Sequence, residues 1–385
     1  MLAGKRLASA MTAGLLMFLC GCSGFFPPIN NGGGGGGGTT TGNFVYVANV
    51  ATQTIAGFSV ATSTAGAASL TAVTGSPYAS PVIPTALAIT PKNTYLYVAG
   101  IGGIYVYSIN STTGALTLAN SGGAAAVMVY PAASIDISPD GQWLIALSQD
   151  NSSIQEYQIN STTGTLAAQQ SANYNLASLT VLPKMVRFTP NAAYVIAALG
   201  TAGDVVFPFT TATGVFSTSY QSLAPATNSS DNALAIDSTS GFLYIARSGA
   251  NSGLAVLTIG TNGTLRSVTG SPFAAGNGPF SVVLDSTGRY AYVGNRTDSN
   301  ITGYAIGAGG ALTVLASSPY ATGTAVNSLA RDSSGKYILA TAGGGSPDLT
   351  MYSFDATTPG ALDSAVTMAT GTASSQQALM VVATH

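Results

Sequence analysis

Residues 134–148 read Ser-Ile-Asp-Ile-Ser-Pro-Asp-Gly-Gln-Trp-Leu-Ile-Ala-Leu-Ser. A short apolar run ends at a Pro-Asp-Gly turn, and a second run opens on an aromatic residue. Pro, Asp and Gly each favour the backbone angles of a tight turn, so the stretch is a β-hairpin signal. The pattern recurs along the chain. An aromatic residue opens an apolar strand at Phe44, Tyr95, Trp143, Tyr194, Phe242, Tyr290 and Tyr337, in steps of 51, 48, 51, 48, 48 and 47 residues. The strands read FVYVAN, YLYVAG, WLIALS, YVIAAL, FLYIAR, YAYVGN and YILATA. β-Branched and aromatic residues dominate them, as strands require.

Each aromatic strand is followed by a third run, such as IYVYSI at 104–109 or IQEYQI at 154–159. A turn such as Asn110-Ser-Thr-Thr-Gly114 comes next, then a weaker fourth run near Leu116, Leu166, Leu265, Leu312 or Leu362. Four antiparallel strands in a period of about 49 residues make the blade of a β-propeller. The fold class is therefore all-β, a seven-bladed propeller over residues 43–385. A solenoid would need polar caps at its ends. Here the first unit begins at the second strand, Phe44, and the last run, Ala378 to Val382, lacks partners of its own. Joined, the two fragments complete one blade, so the C-terminal strand is expected beside Phe44 to Asn49, closing the ring.

Composition agrees with a folded chain. Of 385 residues, 46% are hydrophobic and 6% charged, the reverse of a disordered sequence. The net charge of -2 offers no basic field for phosphates, which excludes nucleic acid as a partner. Both cysteines, Cys20 and Cys22, precede the repeats, so the propeller has neither a disulfide nor a thiolate metal site. No cofactor motif is present, and the Gly32–Gly38 run lacks the Lys-Ser/Thr ending of a phosphate loop.

The N-terminus reads as an address. Lys5 and Arg6 precede an apolar stretch from Leu7 to Leu19 with signal-peptide proportions. Leu19-Cys20-Gly21-Cys22 resembles a bacterial lipobox, with Cys22 in the lipidated position; an ordinary secretory signal cut nearby is the alternative. The resemblance divides the leader into a signal peptide, 1–21, and a lipidated Cys22 with a Gly-rich flexible tether, 22–42. Ser23 after that cysteine implies, in Gram-negative bacteria, an outer-membrane lipoprotein of the cell envelope, so the membrane itself is an expected partner.

The strands FVYVAN and YLYVAG, the hairpin SPDGQWL and the linkers STTGAL and GSPY resemble the seven-bladed lactonase-type propellers, which include 6-phosphogluconolactonases, and the YVTN repeats of bacterial surface proteins. The resemblance implies a ligand face built from loops between second and third strands and loops entering first strands. The polar residues expected there are Asn49, Gln149, Asp150, Lys184, Asp231, Asn232, Arg247, Asn295, Arg296, Asp298, Asn300, Asn327 and Gln377. Arg247 and Arg296 occupy matching loops of neighbouring blades, where two guanidinium groups could clamp a carboxylate or phosphate. Asp150, Asp231 and Asp298 are the candidate bases. The single histidine, His385, is terminal and expected to be disordered, and the single glutamate, Glu156, lies mid-strand and is expected on a blade surface. Asp136 and Arg187 share a register in successive first strands, where Ala88, Ala235, Val283 and Ala330 stand elsewhere, so they are expected to pair. The Ser-Pro segments at 75–78, 270–273 and 317–320 are read as ends of outer strands. Two functions follow. One is a binding or interaction module for a small molecule or an envelope partner. The other, implied by the resemblance, is a lactonase-like hydrolase of a sugar lactone or related cyclic ester.

Overall fold

The computed structural model describes residues 42–63, 67–119, 127–128, 130–149, 152–176, 179–224, 227–344, 347–371 and 379–385. They form seven antiparallel sheets, each with a main path of four strands. We number the blades along the chain. Blade 1 holds Phe44–Asn49, Thr54–Thr62 and Ala68–Ala72, and its innermost strand is Leu379–Ala383. Blades 2 to 7 begin at the inner strands Pro84–Ile89, Ala132–Ile137, Met185–Phe188, Ser229–Ile236, Pro279–Leu284 and Thr324–Arg331. In four blades a further short strand, such as Tyr78–Ala79 or Tyr320–Ala321, pairs with the third strand beyond the fourth. The serine of each Ser-Pro segment explains the break between them. Ser76, Ser271 and Ser318 accept the N–H of Gly57, Val256 and Gly303, at 2.8, 2.9 and 3.0 Å, replacing a ladder bond.

Each hairpin between inner and second strands is stapled by the residue that follows the inner strand. Thr90, Ser138 and Thr189 accept, through their hydroxyls, the N–H of Tyr95, Trp143 and Tyr194, each at 3.0 Å. Asp237, Asp285 and Asp332 do the same for Phe242, Tyr290 and Tyr337 through a carboxylate oxygen, at 2.6, 2.8 and 2.7 Å. Short polar side chains suit this because they reach back to the backbone. The seventh staple joins the two ends of the chain. Thr384 accepts the N–H of Phe44 at 2.9 Å, and Val45 to Asn49 pair with Ala383 to Leu379. Closure lies within one residue of the position expected from the repeat.

Neighbouring blades lock through tyrosines two residues beyond the aromatic positions that mark the period. Tyr46, Tyr97 and Tyr292 donate to the carbonyls of Gly114, Gly164 and Gly360 in the next blade, at 2.7, 2.8 and 2.7 Å. These glycines have φ of 72, 72 and 79°, and a Cβ at Gly114 or Gly360 would lie 2.4 or 2.3 Å from the Phe44 or Tyr290 ring. Both the turn and the packed ring therefore require glycine. Inner strands have one edge open to the channel, and side chains of the preceding blade cover part of it. Ser134 and Asp136 accept the N–H groups of Val186 and Phe188, at 3.1 and 2.7 Å.

Two expectations are corrected. His385 is held rather than disordered: its N–H donates to Asn93 Oδ1 at 2.8 Å, Asn93 donates back to its carbonyl at 3.0 Å, and its ring lies 3.2 Å from the Ile89 carbonyl. Glu156 is wholly buried rather than on a blade surface. Its strand alternates between two blade interfaces, so mid-strand positions face neighbouring blades and not water.

Removing residues 379–385 strips Phe44–Asn49 of its inner partner and of the Thr384 staple. The truncated chain is expected to lose its monomeric, cooperative melt, as read by gel filtration and calorimetry; an unchanged melt would contradict the closure scheme.

Candidate functional site

Five inner strands that carry a β-bulge near their start set up one face of the ring. The extra residues are Thr85, Ala133, Asn232, Phe280 and Asn327. A bulge re-aims one side chain out of the ladder and is common beside functional sites. Asn232 donates to the Pro279 carbonyl of the next blade and to Ser248 Oγ, both at 2.9 Å. Phe280 lies under Arg296, whose guanidinium carbon is 4.8 Å from the ring centroid.

Between blades 5 and 6 these residues line a cleft of about 450 Å³, with Asn232, Ser248, Ser252, Asn277, Phe280 and Arg296 in its walls. Among the described residues, nothing hydrogen-bonds the Arg296 guanidinium, and Ser252 Oγ is a buried polar atom without a partner. A cation resting on an aromatic face keeps its edge donors available, which suits a carboxylate or phosphate.

Arg247 behaves differently. It donates from Nε and from a terminal nitrogen to the two oxygens of Asp231, at 2.5 and 2.9 Å, in a nearly sealed site. The strand pairing explains this, since Asp231 and Arg247 are register partners. Arg247 does not line the Arg296 cleft, so the two arginines are not brought together as a clamp. The sequence reading missed Asp204, the first residue of a third strand in blade 4. Its carboxyl is wholly buried and receives no hydrogen bond on either oxygen. Burial first, and the neighbouring Asp231 carboxylate second, push it well above the ordinary carboxylate range, and Arg247 pulls the other way.

Lys184 is half-buried just before Met185–Phe188, where its Cε approaches Gly200. Asp298 is exposed and accepts from the Asn277 backbone and side chain at 2.7 and 2.9 Å, which holds its carboxyl below the usual range. Asn300 accepts from Asn295 at 2.8 Å. Asp150, Gln377 and Cys22 lie outside the described residues. Asp136 and Arg187 approach to 3.7 Å, as their shared register implied. The Asp136 carboxyl is raised by burial, with Arg187 lowering it.

The opposite face has a larger cleft of about 750 Å³ between blades 2 and 3. Several of its polar groups are already paired. Asp140 accepts from Ser138 and Gln142, Asn160 accepts the N–H groups of Thr162 and Thr163, and Tyr95 donates to the Thr162 carbonyl. The Arg296 cleft is therefore the better candidate.

Residues 206–327 match the model of the lactonase family of seven-bladed β-propellers. Over that stretch the chain is similar to the lactonase-type propellers, and the whole ring has seven blades. The match includes Asp231, Arg247, Phe280, Arg296 and Asp298. A periplasmic gluconolactonase of Pseudomonas aeruginosa is similar at 18% identity and TM-score 0.67, over 89% of this chain and 99% of that one. A candidate 6-phosphogluconolactonase from Bacteroides fragilis is similar at 16% identity and TM-score 0.70, over 91% of this chain and 100% of that one. At these identities the likeness is one of fold. No curated protein gives a significant match.

The two arginines predict opposite phenotypes. Arg247→Met leaves Asp231 charged and sealed, and should lower unfolding free energy by about 3 kcal/mol or more. Arg296→Ala should change it by less than about 1 kcal/mol. Urea unfolding of both variants checks this.

Proposed function

We propose that this propeller is an exported, lipid-anchored binding module that takes a small hydroxylated carboxylate, or a related anion, in the Arg296 cleft. The observation that carries the reading is the Arg296 guanidinium, stacked 4.8 Å over Phe280 and without a hydrogen-bond partner among the described residues. Asn232 and Ser248 supply amide and hydroxyl groups beside it for a polyol chain. Cys22 would carry the lipid and residues 22–42 the tether, placing the ring in the cell envelope, at the outer membrane.

A second reading is lactone hydrolysis at the same cleft. The family match over residues 206–327 and the fold shared with a protein described as a periplasmic gluconolactonase favour it. Lactone opening needs a base for water and a donor for the carbonyl oxygen. Arg296 meets the second need. For the first, Asp298 is held below the ordinary carboxylate range by Asn277, which makes it a weak base, and Asp204 is sealed from water. Binding is therefore the stronger reading.

Calorimetric titration with gluconate and 6-phosphogluconate tests it. Saturable binding that weakens about tenfold in Arg296→Ala, roughly 1.4 kcal/mol, is the expected result. Equal affinity in the variant, or no binding to any member of an aldonate and sugar-phosphate panel, would overturn it. Turnover of a lactone panel above the spontaneous rate would move the assignment to the second reading. Separately, Cys22→Ala should abolish palmitate labelling and release the protein from the membrane fraction.

A further inference from the structure

The seam between blades 3 and 4 holds a carboxyl that the proposed site does not use. Glu156 lies in Ser153–Ile159, opposite Ile145 in register, two places from the pair of Trp143 and Gln158. Register partners in an antiparallel pair point to the same side of the sheet. Trp143 fixes which side that is. Its indole N–H donates to the Thr211 carbonyl of blade 4 at 3.0 Å, and a Cβ on Gly214 of that blade would lie 2.3 Å from its ring. Glu156 therefore faces blade 4, where Val195, Ala197, Val205, Phe207 and Phe209 form an apolar cluster with Trp143 and Ile145. The side chain is wholly inaccessible, and neither carboxyl oxygen has a hydrogen-bond partner. Blades 2, 4 and 5 carry Val106, Val206 and Val256 in the same register.

We propose that Glu156 makes this seam a proton-dependent latch, closed while the carboxyl is neutral and loosened when it ionises. The charged groups around it do not compensate a negative charge. Asp136 is the register partner of Ile145 and so shares the face, but it lies two strands inward, roughly 10 Å away, and is engaged with Arg187 and the Phe188 N–H. Tyr174, in the same cluster, has its hydroxyl pushed far up by burial and stays neutral. Tyr220 packs at the cluster's edge and bonds the Asn175 backbone. Asp204 alternates with Val205 and points the other way, toward blade 5.

Burial raises the Glu156 carboxyl to about 7. The folded ring thus holds its proton where the unfolded chain, titrating near the ordinary value of 4.5, has already lost it. Stability from this group is complete below about pH 4.5 and is lost as pH rises through 7. Asp136 and Asp204 are raised by burial as well, so the informative quantity is the difference between wild type and a variant at this one position.

Trp143, the only tryptophan, reports on the seam directly. Glu156→Gln and Glu156→Met would be compared with wild type in full-length protein between pH 5 and 8.5. The wild-type melting temperature is expected to fall by about 4 °C more than that of either variant, with a red shift of Trp143 emission above pH 7 that both variants lack. Melting curves and emission that shift in parallel in wild type and Glu156→Met would overturn the latch. Glu156→Met keeps the test open if the buried amide of Glu156→Gln prevents folding.

Discussion

The structure depends on one hydrogen bond between residues that begin and end the ring. Thr384 accepts the N–H of Phe44 in the way that Thr90, Ser138 and Thr189 accept inside covalent hairpins. It makes a noncovalent joint behave as a seventh turn, and the Leu379–Ala383 strand then gives Phe44–Asn49 its inner partner. A propeller left open would present two full strand edges to water and to other chains. Closure turns those edges into a blade interface and fixes the inner strands around a common axis. The bulges at Asn232 and Phe280 can then present side chains at one mouth.

The period also fixes what varies. Aromatic positions, turn glycines and stapling hydroxyls or carboxylates are used up in holding blades together, as Tyr46 on Gly114 and Asp285 on Tyr290 illustrate. Function is left to positions where the repeat is broken. Arg296 lies in a turn after a second strand, Phe280 fills a bulge position that is Thr85, Ala133, Asn232 or Asn327 in other blades, and Glu156 stands where blades 2, 4 and 5 have valine. At the mouth Arg247 and Asp231 neutralise each other. Arg296, stacked on Phe280, keeps donors to spare among the described residues.

The fold was legible because its signal is local and repeated. Each aromatic strand and each Pro-Asp-Gly or Ser-Thr-Gly turn states its own conformation, and the half-blade at each end announces the joint. The site was only partly legible. Asp231 and Arg247 were read as mouth residues, but their bond follows from register across one hairpin, which a list of mouth residues does not convey. Asp204 opens a strand in another blade, so only the ring brings it to Asp231. A bulge shifts the in/out alternation by one residue, so Phe280 read as one more apolar strand residue and was not placed at the mouth. Glu156 had a readable signal: aligned with Ile145, it occupies a column that is Val106, Val206 and Val256 elsewhere, hence apolar and inward.

We infer that the closed ring reads anions at the cleft between blades 5 and 6. Hydrogen exchange of the whole protein, with and without saturating gluconate, tests it most directly. Slowed exchange confined to residues 248–252, 277–280 and 296–297 is expected. Protection centred instead on the Lys92 and Asp140 cleft of the opposite face, or no protection anywhere, would contradict it.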